Sequence, residues 1–217
     1  MMNMELQKRL LSSLIMLPAA LFLILKGSIF FTFFLFVIFI ATIKEWLDMC
    51  KKNKLMKFLG VIFLIISFYL AYILRIKEGA YVFIFIVLIS VCTDIGGYIF
   101  GKLLKGPKIT KISPNKTFSG VVGGFIISLI GALVFYEYVP ITFSYNFGEF
   151  ISFDLYLFFI ILMISMISQI GDLIISYFKR QAKIKDSGQL LPGHGGFLDR
   201  VDGMIFAIPF SFLILNL

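Results

Sequence analysis

Seven apolar stretches, most of them close to the length that crosses a bilayer, dominate this chain. A spanning helix needs about 20 mostly apolar residues. The candidates run over about 10–25, 28–43, 56–74, 80–101, 117–138, 153–178 and 203–217. In lipid every backbone polar group must find its partner inside the segment, so such stretches become helices. Composition agrees: soluble domains are roughly half apolar and a quarter charged, whereas this chain is 60% hydrophobic and 15% charged. So much Phe, Ile and Leu needs lipid as its solvent. The expected fold is all-α, a polytopic membrane bundle of about seven transmembrane helices. The first stretch follows Lys8-Arg9 and resembles a signal-peptide core. The second follows almost at once, after Lys26-Gly27-Ser28, so the first reads as a retained helix, with a signal peptide as the alternative. The second and last stretches are short, and the second extends toward the interfacial pair Trp46 and Leu47.

The net charge of +8 raises the question of nucleic acid. The basic residues sit between apolar runs rather than along one face, which excludes that partner and favours juxtamembrane loops near anionic lipid. With the N-terminus in the cytoplasm, nearly all Lys and Arg fall on the cytoplasmic side, and only Lys26, Arg75 and Lys77 fall on the other. The loop 139–152 carries Glu149 and no Lys or Arg, as an outside loop should. Cys50 and Cys92 lack metal-site spacing and read as free thiols.

Most acids lie in loops or near helix ends; Asp94 and Asp172 do not. Each stands about 10–12 Å inside the cytoplasmic end of its helix, counted to Lys102 and Lys179 at 1.5 Å per residue. A carboxylate at that depth costs several kcal/mol unless paired, metal-bound or hydrated, which makes it a functional candidate. The bland alternative is a structural pair with a Lys or a hydroxyl. Gly96, Gly97 and Gly101 follow Asp94, and Gly171 precedes Asp172. Gly97-x-x-x-Gly101 and Gly120-x-x-x-Gly124 read as close helix packing.

The segment 176–202 concentrates charge. Pro192-Gly-His-Gly-Gly196 cannot be helical and forms a tight loop whose bare backbone can approach a phosphate. Asp199 and Asp202 stand at i, i+3; on a helix starting near Phe197 they share one face. Two acids so placed suit Mg²⁺, which takes one or two carboxylates plus substrate phosphates. Lys179, Arg180, Lys185 and Arg200 are the matching phosphate binders. Cations and acids interleaved in this way suit phosphoryl or nucleotidyl transfer, whose catalysis is mostly positioning and charge neutralisation. The competing reading is a solvated positive loop.

The spacing is more specific than the composition. Ser176, Lys179-Arg180, Lys185-Asp186-Ser187-Gly188, Pro192 to Gly196, Asp199-Arg200 and Asp202 closely resemble the signature of the phosphatidate cytidylyltransferases, or CDP-diacylglycerol synthases. Upstream, Asp94-Ile-Gly-Gly-Tyr-x-x-Gly-Lys102 looks like that family's first acidic membrane motif, Ser113-Pro-Asn-Lys-Thr117 like its Ser-Pro-x-Lys-Thr loop, and Gly171-Asp172-Leu like its Gly-Asp-Leu. Family members continue the loop with Trp-Glu-Gly; here Phe118-Ser119-Gly120 stands, without the Glu. The resemblance covers roughly 80–217. The chain therefore divides into N-terminal membrane helices, 1–79, and a membrane-embedded catalytic region, 80–217.

The resemblance implies transfer of CMP from CTP to phosphatidic acid, giving CDP-diacylglycerol and pyrophosphate at a cytoplasm-facing site of the cell membrane. It implies Mg²⁺ on Asp172, Asp199 and Asp202, with Asp94 in support. It implies phosphate binding by Lys116, Lys179, Arg180, Lys185 and Arg200, with Asp186 and Lys102 as parts of the matching motifs. Ser113, Thr117 and Ser176 donate hydroxyl hydrogen bonds, and His194 orders its loop rather than carrying a proton. The resemblance also suggests a homodimer and a second cation. Three other readings compete. A CDP-alcohol phosphotransferase is superficially similar at Asp199-x-x-Asp202-Gly203 but needs acids downstream, and none follows Asp202. A polyprenol-type lipid kinase would move the γ-phosphate of CTP. A transporter would use Asp94 and Asp172 as ion sites, yet no inverted repeat is visible and the charges crowd one face.

Overall fold

The computed structural model describes residues 4–51, 53–110, 113, 116–139, 155–190 and 195–216, with side chains from residue 14 onward. Of the loop 139–152 only Val139 is described, and Lys52, Lys111, Pro114, Asn115, Pro192, Gly193, His194 and Leu217 also lie outside the described residues. The described elements are α1 (Met4–Lys26), α2 (Ser28–Met49), α3 (Lys54–Lys77), α4 (Gly79–Leu104), α5 (Phe118–Tyr138), α6 (Leu155–Gln181), α7 (Leu198–Val201) and α8 (Met204–Leu215). Among the described residues no strand forms, and an isolated antiparallel bridge joins Lys108 and Thr117. The protein is an all-α, multi-pass membrane protein.

Each apolar stretch has become a helix, and α2 to α6 are long and apolar enough to cross a membrane. The last helix, α8, is shorter and contains Pro209. At 1.5 Å per residue α8 spans about 18 Å, less than the roughly 30 Å of a hydrocarbon core. Helices break where glycine permits a left-handed backbone. Gly27 (φ 65°) parts α1 from α2, Gly79 (φ 87°) opens α4, and Gly106 (φ 102°) follows its end.

The chain forms two compact units, Met1–Tyr72 with Phe178–Val201, and Ile73–Tyr177 with Asp202–Leu217. The first unit thus takes in the signature segment as far as Val201. In the first unit α1 packs on α2 and α2 on α7. Trp46 is 5% exposed. Its indole meets Phe178 edge-on, with centroids 5.0 Å apart, and donates to the Lys57 carbonyl at 3.3 Å. Gly60 leaves it room, since a Cβ there would stand 1.9 Å from the indole.

In the second unit α4 packs on α5 and α8. The α4–α5 seam is a contact of backbones. A Cβ on Gly96 would lie 2.3 Å from the Gly123 carbonyl oxygen, and one on Gly120 2.8 Å from that of Gly97. Small residues do permit close approach, and the tightest point is Gly96 against Gly123. Across the core, Ser165 and Thr93 hydroxyls pair at 2.7 Å, while Thr93 donates to the Ile89 carbonyl at 2.8 Å.

Candidate active site

The second unit holds a cavity of about 440 Å³ lined by α4, α5, α6 and the segment before α5. Its polar wall contains Asp94, Ser113, Lys116, Thr117, Asp172 and Ser176; Phe125, Met166 and Ile170 are among its apolar lining. Six of the expected site residues thus meet in one cavity. Lys116 pairs with Asp172 at 2.5 Å, each side chain about a quarter exposed. Ser176, one helical turn on, donates to the other Asp172 oxygen at 3.2 Å. A carboxylate this far along an apolar helix needs such partners.

Local structure aims Lys116 into the cavity. The Ile109 amide donates to the Lys116 carbonyl and the Lys116 amide to the Ser113 carbonyl, each at 3.0 Å. Thr117 then caps α5, accepting from the Gly120 amide at 3.2 Å, as threonine commonly does. Ser119, standing where a Glu was expected, pairs with the Thr117 hydroxyl at 2.9 Å and donates to the Lys105 carbonyl. Lys102 is exposed, its ammonium 5.6 Å from the Tyr98 ring centroid.

The first unit contains a second polar cluster, built on the signature segment. Lys179 donates to Asp199 Oδ1 at 2.9 Å, with both side chains about nine-tenths buried. Asp199 Oδ2 accepts the Ser187 amide at 2.8 Å and the Gly196 amide at 3.0 Å. Beside it lies Glu45 of α2, 3% exposed. Glu45 Oε1 accepts the Phe197 amide at 3.0 Å. Its Oε2 accepts the Leu198 amide and the Ser187 hydroxyl, both at 2.8 Å. The Gly196, Phe197 and Leu198 amides are therefore engaged by internal carboxylates; of the loop 192–196 expected to approach a phosphate, only Gly195 and Gly196 are described.

Sequence reasoning passed over Glu45, since an acid between Lys44 and Trp46 near a helix end reads as interfacial. A signal was present: Thr42, Glu45, Trp46 and Met49 have the i, i+3, i+4, i+7 spacing of one helix face, and all four are buried. Arg180, Lys185, Asp186 and Arg200 are exposed, and Arg180 donates to the Ile184 carbonyl at 2.9 Å. A helix does begin near Phe197: α7 carries Asp199 and ends at Val201, one residue before Asp202.

Among the described residues no three His, Cys, Asp or Glu side chains form a group able to hold a metal ion. Two carboxylates plus substrate phosphates suffice for Mg²⁺, however. Asp172 fits that use: it is partly exposed on the cavity wall and now faces an ammonium. Asp202 belongs to the same unit. Its Oδ1 accepts the Gly203 amide at 3.0 Å, and its backbone packs against Gly171, next to Asp172, where a Cβ would stand 3.0 Å from the Asp202 carbonyl oxygen. Both oxygens of Asp199 are already engaged, by three donors.

The sequence pattern of the cytidylyltransferase family matches residues 55–217, beginning at the start of α3, upstream of the motifs that carry the resemblance. The chain is similar to a phosphatidate cytidylyltransferase of Rickettsia bellii (strain RML369-C), 35% identical over 211 residues, which covers 95% of this chain and 89% of that protein. It is similar to the Staphylococcus saprophyticus enzyme of that name, 43% identical over 141 residues, or 64% of this chain and 50% of that protein. It is also 42% identical over 126 residues to the Bacillus subtilis (strain 168) enzyme, or 58% of this chain and 44% of that protein.

Proposed function

The chain belongs to the cytidylyltransferase family, and from that premise we infer that it works as a phosphatidate cytidylyltransferase. It transfers CMP from CTP to phosphatidic acid within the membrane, releasing CDP-diacylglycerol and pyrophosphate. The observation that carries this is the cavity in which Lys116, Asp172 and Ser176 are bonded together on an otherwise largely apolar wall. Such a wall suits a substrate with a lipid body and an anionic head.

The lipid phosphate is already a nucleophile at neutral pH, so the reaction requires no general base. A phosphatidate oxygen bonds to the α-phosphorus of CTP as the bond from that phosphorus to the α,β-bridging oxygen breaks, and pyrophosphate leaves. The enzyme's task is to bring two polyanions together. Lys116 offsets the charge of one, and Ser176 holds Asp172 in place and offers a hydroxyl at the cavity wall. In the first unit Lys179, fixed by Asp199, and the exposed Arg180, Lys185 and Arg200 are further cations able to bind phosphate. Asp172 and Asp202 fit as ligands of Mg²⁺, which when bound would stabilise charge on the phosphoryl oxygens. The concentration of Lys and Arg on one side of the membrane supports a site facing the cytoplasm, where CTP is dissolved.

Labelled CTP tests this. Purified protein in micelles with phosphatidate and Mg²⁺ is expected to move label from the α-phosphorus, and none from the γ-phosphorus, into lipid. Lipid labelled from the γ-position would establish a kinase and overturn the proposal.

A further inference from the structure

The contacts of Glu45 have no part in the transfer described above, and they are the most extensive polar contacts α2 makes. We propose that Glu45 is a positioning residue for the reaction: from α2 it holds the signature segment in the form that presents Lys179 and Asp199. The inference rests on the cytidylyltransferase reading.

Three observations carry it. The first is the sharing of donors. Ser187 gives its amide to Asp199 and its hydroxyl to Glu45. Gly196 gives its amide to Asp199, and the next two amides go to Glu45. The two carboxylates hold one piece of backbone, so displacing either moves the other's donors. The second is the length of α7, which has four residues. A helix so short does not sustain itself, and its first N–H groups have no helical partners. Glu45 supplies, from another element, an acceptor for the first of them, Leu198, and for the Phe197 amide just before it. The third is the space left for it. A Cβ on Gly188 would stand 2.5 Å from Glu45 Oε1, and one on Gly196 2.4 Å from Oε2 and 2.2 Å from the Ser187 hydroxyl. Neither glycine has a positive φ, so room for Glu45, rather than backbone strain, accounts for them. Successive N–H groups of this kind often receive a phosphate; here a side chain of the protein fills them, and Glu45 acts through Asp199 and Lys179 rather than on a substrate.

The test uses the full chain in micelles with CTP, phosphatidate and Mg²⁺. Glu45→Gln keeps the size but turns one acceptor oxygen into a donor that faces donors. It is expected to lower kcat about 100-fold, the scale of a small misplacement of catalytic groups, with KM for both substrates little changed. Glu45→Asp, which keeps the charge but not the reach, should fall between. In Glu45→Gln the Phe197 and Leu198 amides should exchange hydrogen faster, while those of α4 and α5 stay protected and report an intact fold. Should Glu45→Gln fail to fold, Ser187→Ala removes one donor and leaves the carboxylate, and is expected to lower kcat about tenfold. A variant with open amides and unchanged kcat would overturn the proposal. So would protected Phe197 and Leu198 amides in Glu45→Gln, or a raised KM for CTP at unchanged kcat, which would place Glu45 on the substrate. If the unmodified protein transfers no cytidylyl group, the functional reading fails and hydrogen exchange alone decides whether Glu45 holds the segment.

Discussion

The carboxylate of Asp199 stands between opposing influences. Burial pushes its pKa up, but the Lys179 hydrogen bond, the Gly196 amide, the Lys179 charge and the Ser187 amide together hold it below the ordinary carboxylate value. A depressed pKa means that the folded state prefers the ionised form. The resulting stability is fully present above the unfolded value, about 3.9, and is lost as the pH falls through the lower folded value. Asp199→Asn removes this contribution. Thermal unfolding in detergent, followed downward from pH 6, should therefore show the unmodified protein losing its advantage over Asp199→Asn below about pH 4. A constant gap between the two would contradict the pairing with Lys179. Residues of this kind were unevenly legible in the sequence. Asp94 and Asp172 could be singled out because a charge far inside an apolar run is costly anywhere. Glu45 left only the weaker signal of its helix-face spacing, because what it binds is a segment roughly 150 residues later in the chain.

Among the elements, the α4–α5 pair shows how backbone contact stands in for side-chain packing in lipid. Lipid tails are as apolar as the side chains, so helices gain by close van der Waals approach rather than by escape from water. At Gly96 that approach is complete: an added Cβ would meet the Gly123 carbonyl at 2.3 Å. Main chain cannot swing aside as a flexible side chain can, so Gly96→Ala should force the helices apart. The expected cost is about 1–3 kcal/mol, seen as a lowered unfolding temperature in detergent. By contrast Gly97→Ala, whose Cβ would lie 3.7 Å from the Gly120 carbonyl, should be close to neutral. Equal effects at the two positions would contradict the seam. The stripe of small residues was visible in the sequence, but its register was not, because Gly96, Gly97 and Gly101 offer several seams and only the partner helix selects one. The helices themselves were read nearly to their ends, since about 20 apolar residues leave lipid few alternatives. The ends that moved were polar: α2 runs on to Met49 and α6 to Gln181, where hydropathy falls although the backbone ladder continues.

For the whole molecule, charge and chemistry together support the proposed orientation. Lys and Arg gather on one side of the alternating helices, and that side is cytoplasmic when the N-terminus is inside. CTP is water-soluble and made inside the cell, so the signature segment must face the same way for the proposed reaction to run. Lys183 offers a position from which to read it: exposed, just past α6 and in a left-handed turn (φ 59°). The native thiols complicate the measurement little. Among the described residues both are free, and burial raises the Cys50 pKa despite the nearby charge of Lys57, which slows its alkylation because the thiolate is the reactive form. With Cys50 and Cys92 replaced by Ser, Lys183→Cys is expected to react with a membrane-impermeant maleimide in inverted vesicles and to stay unlabelled in intact cells. Labelling of intact cells would place the segment outside, beyond the reach of CTP, and would overturn both the orientation and the reaction that depends on it.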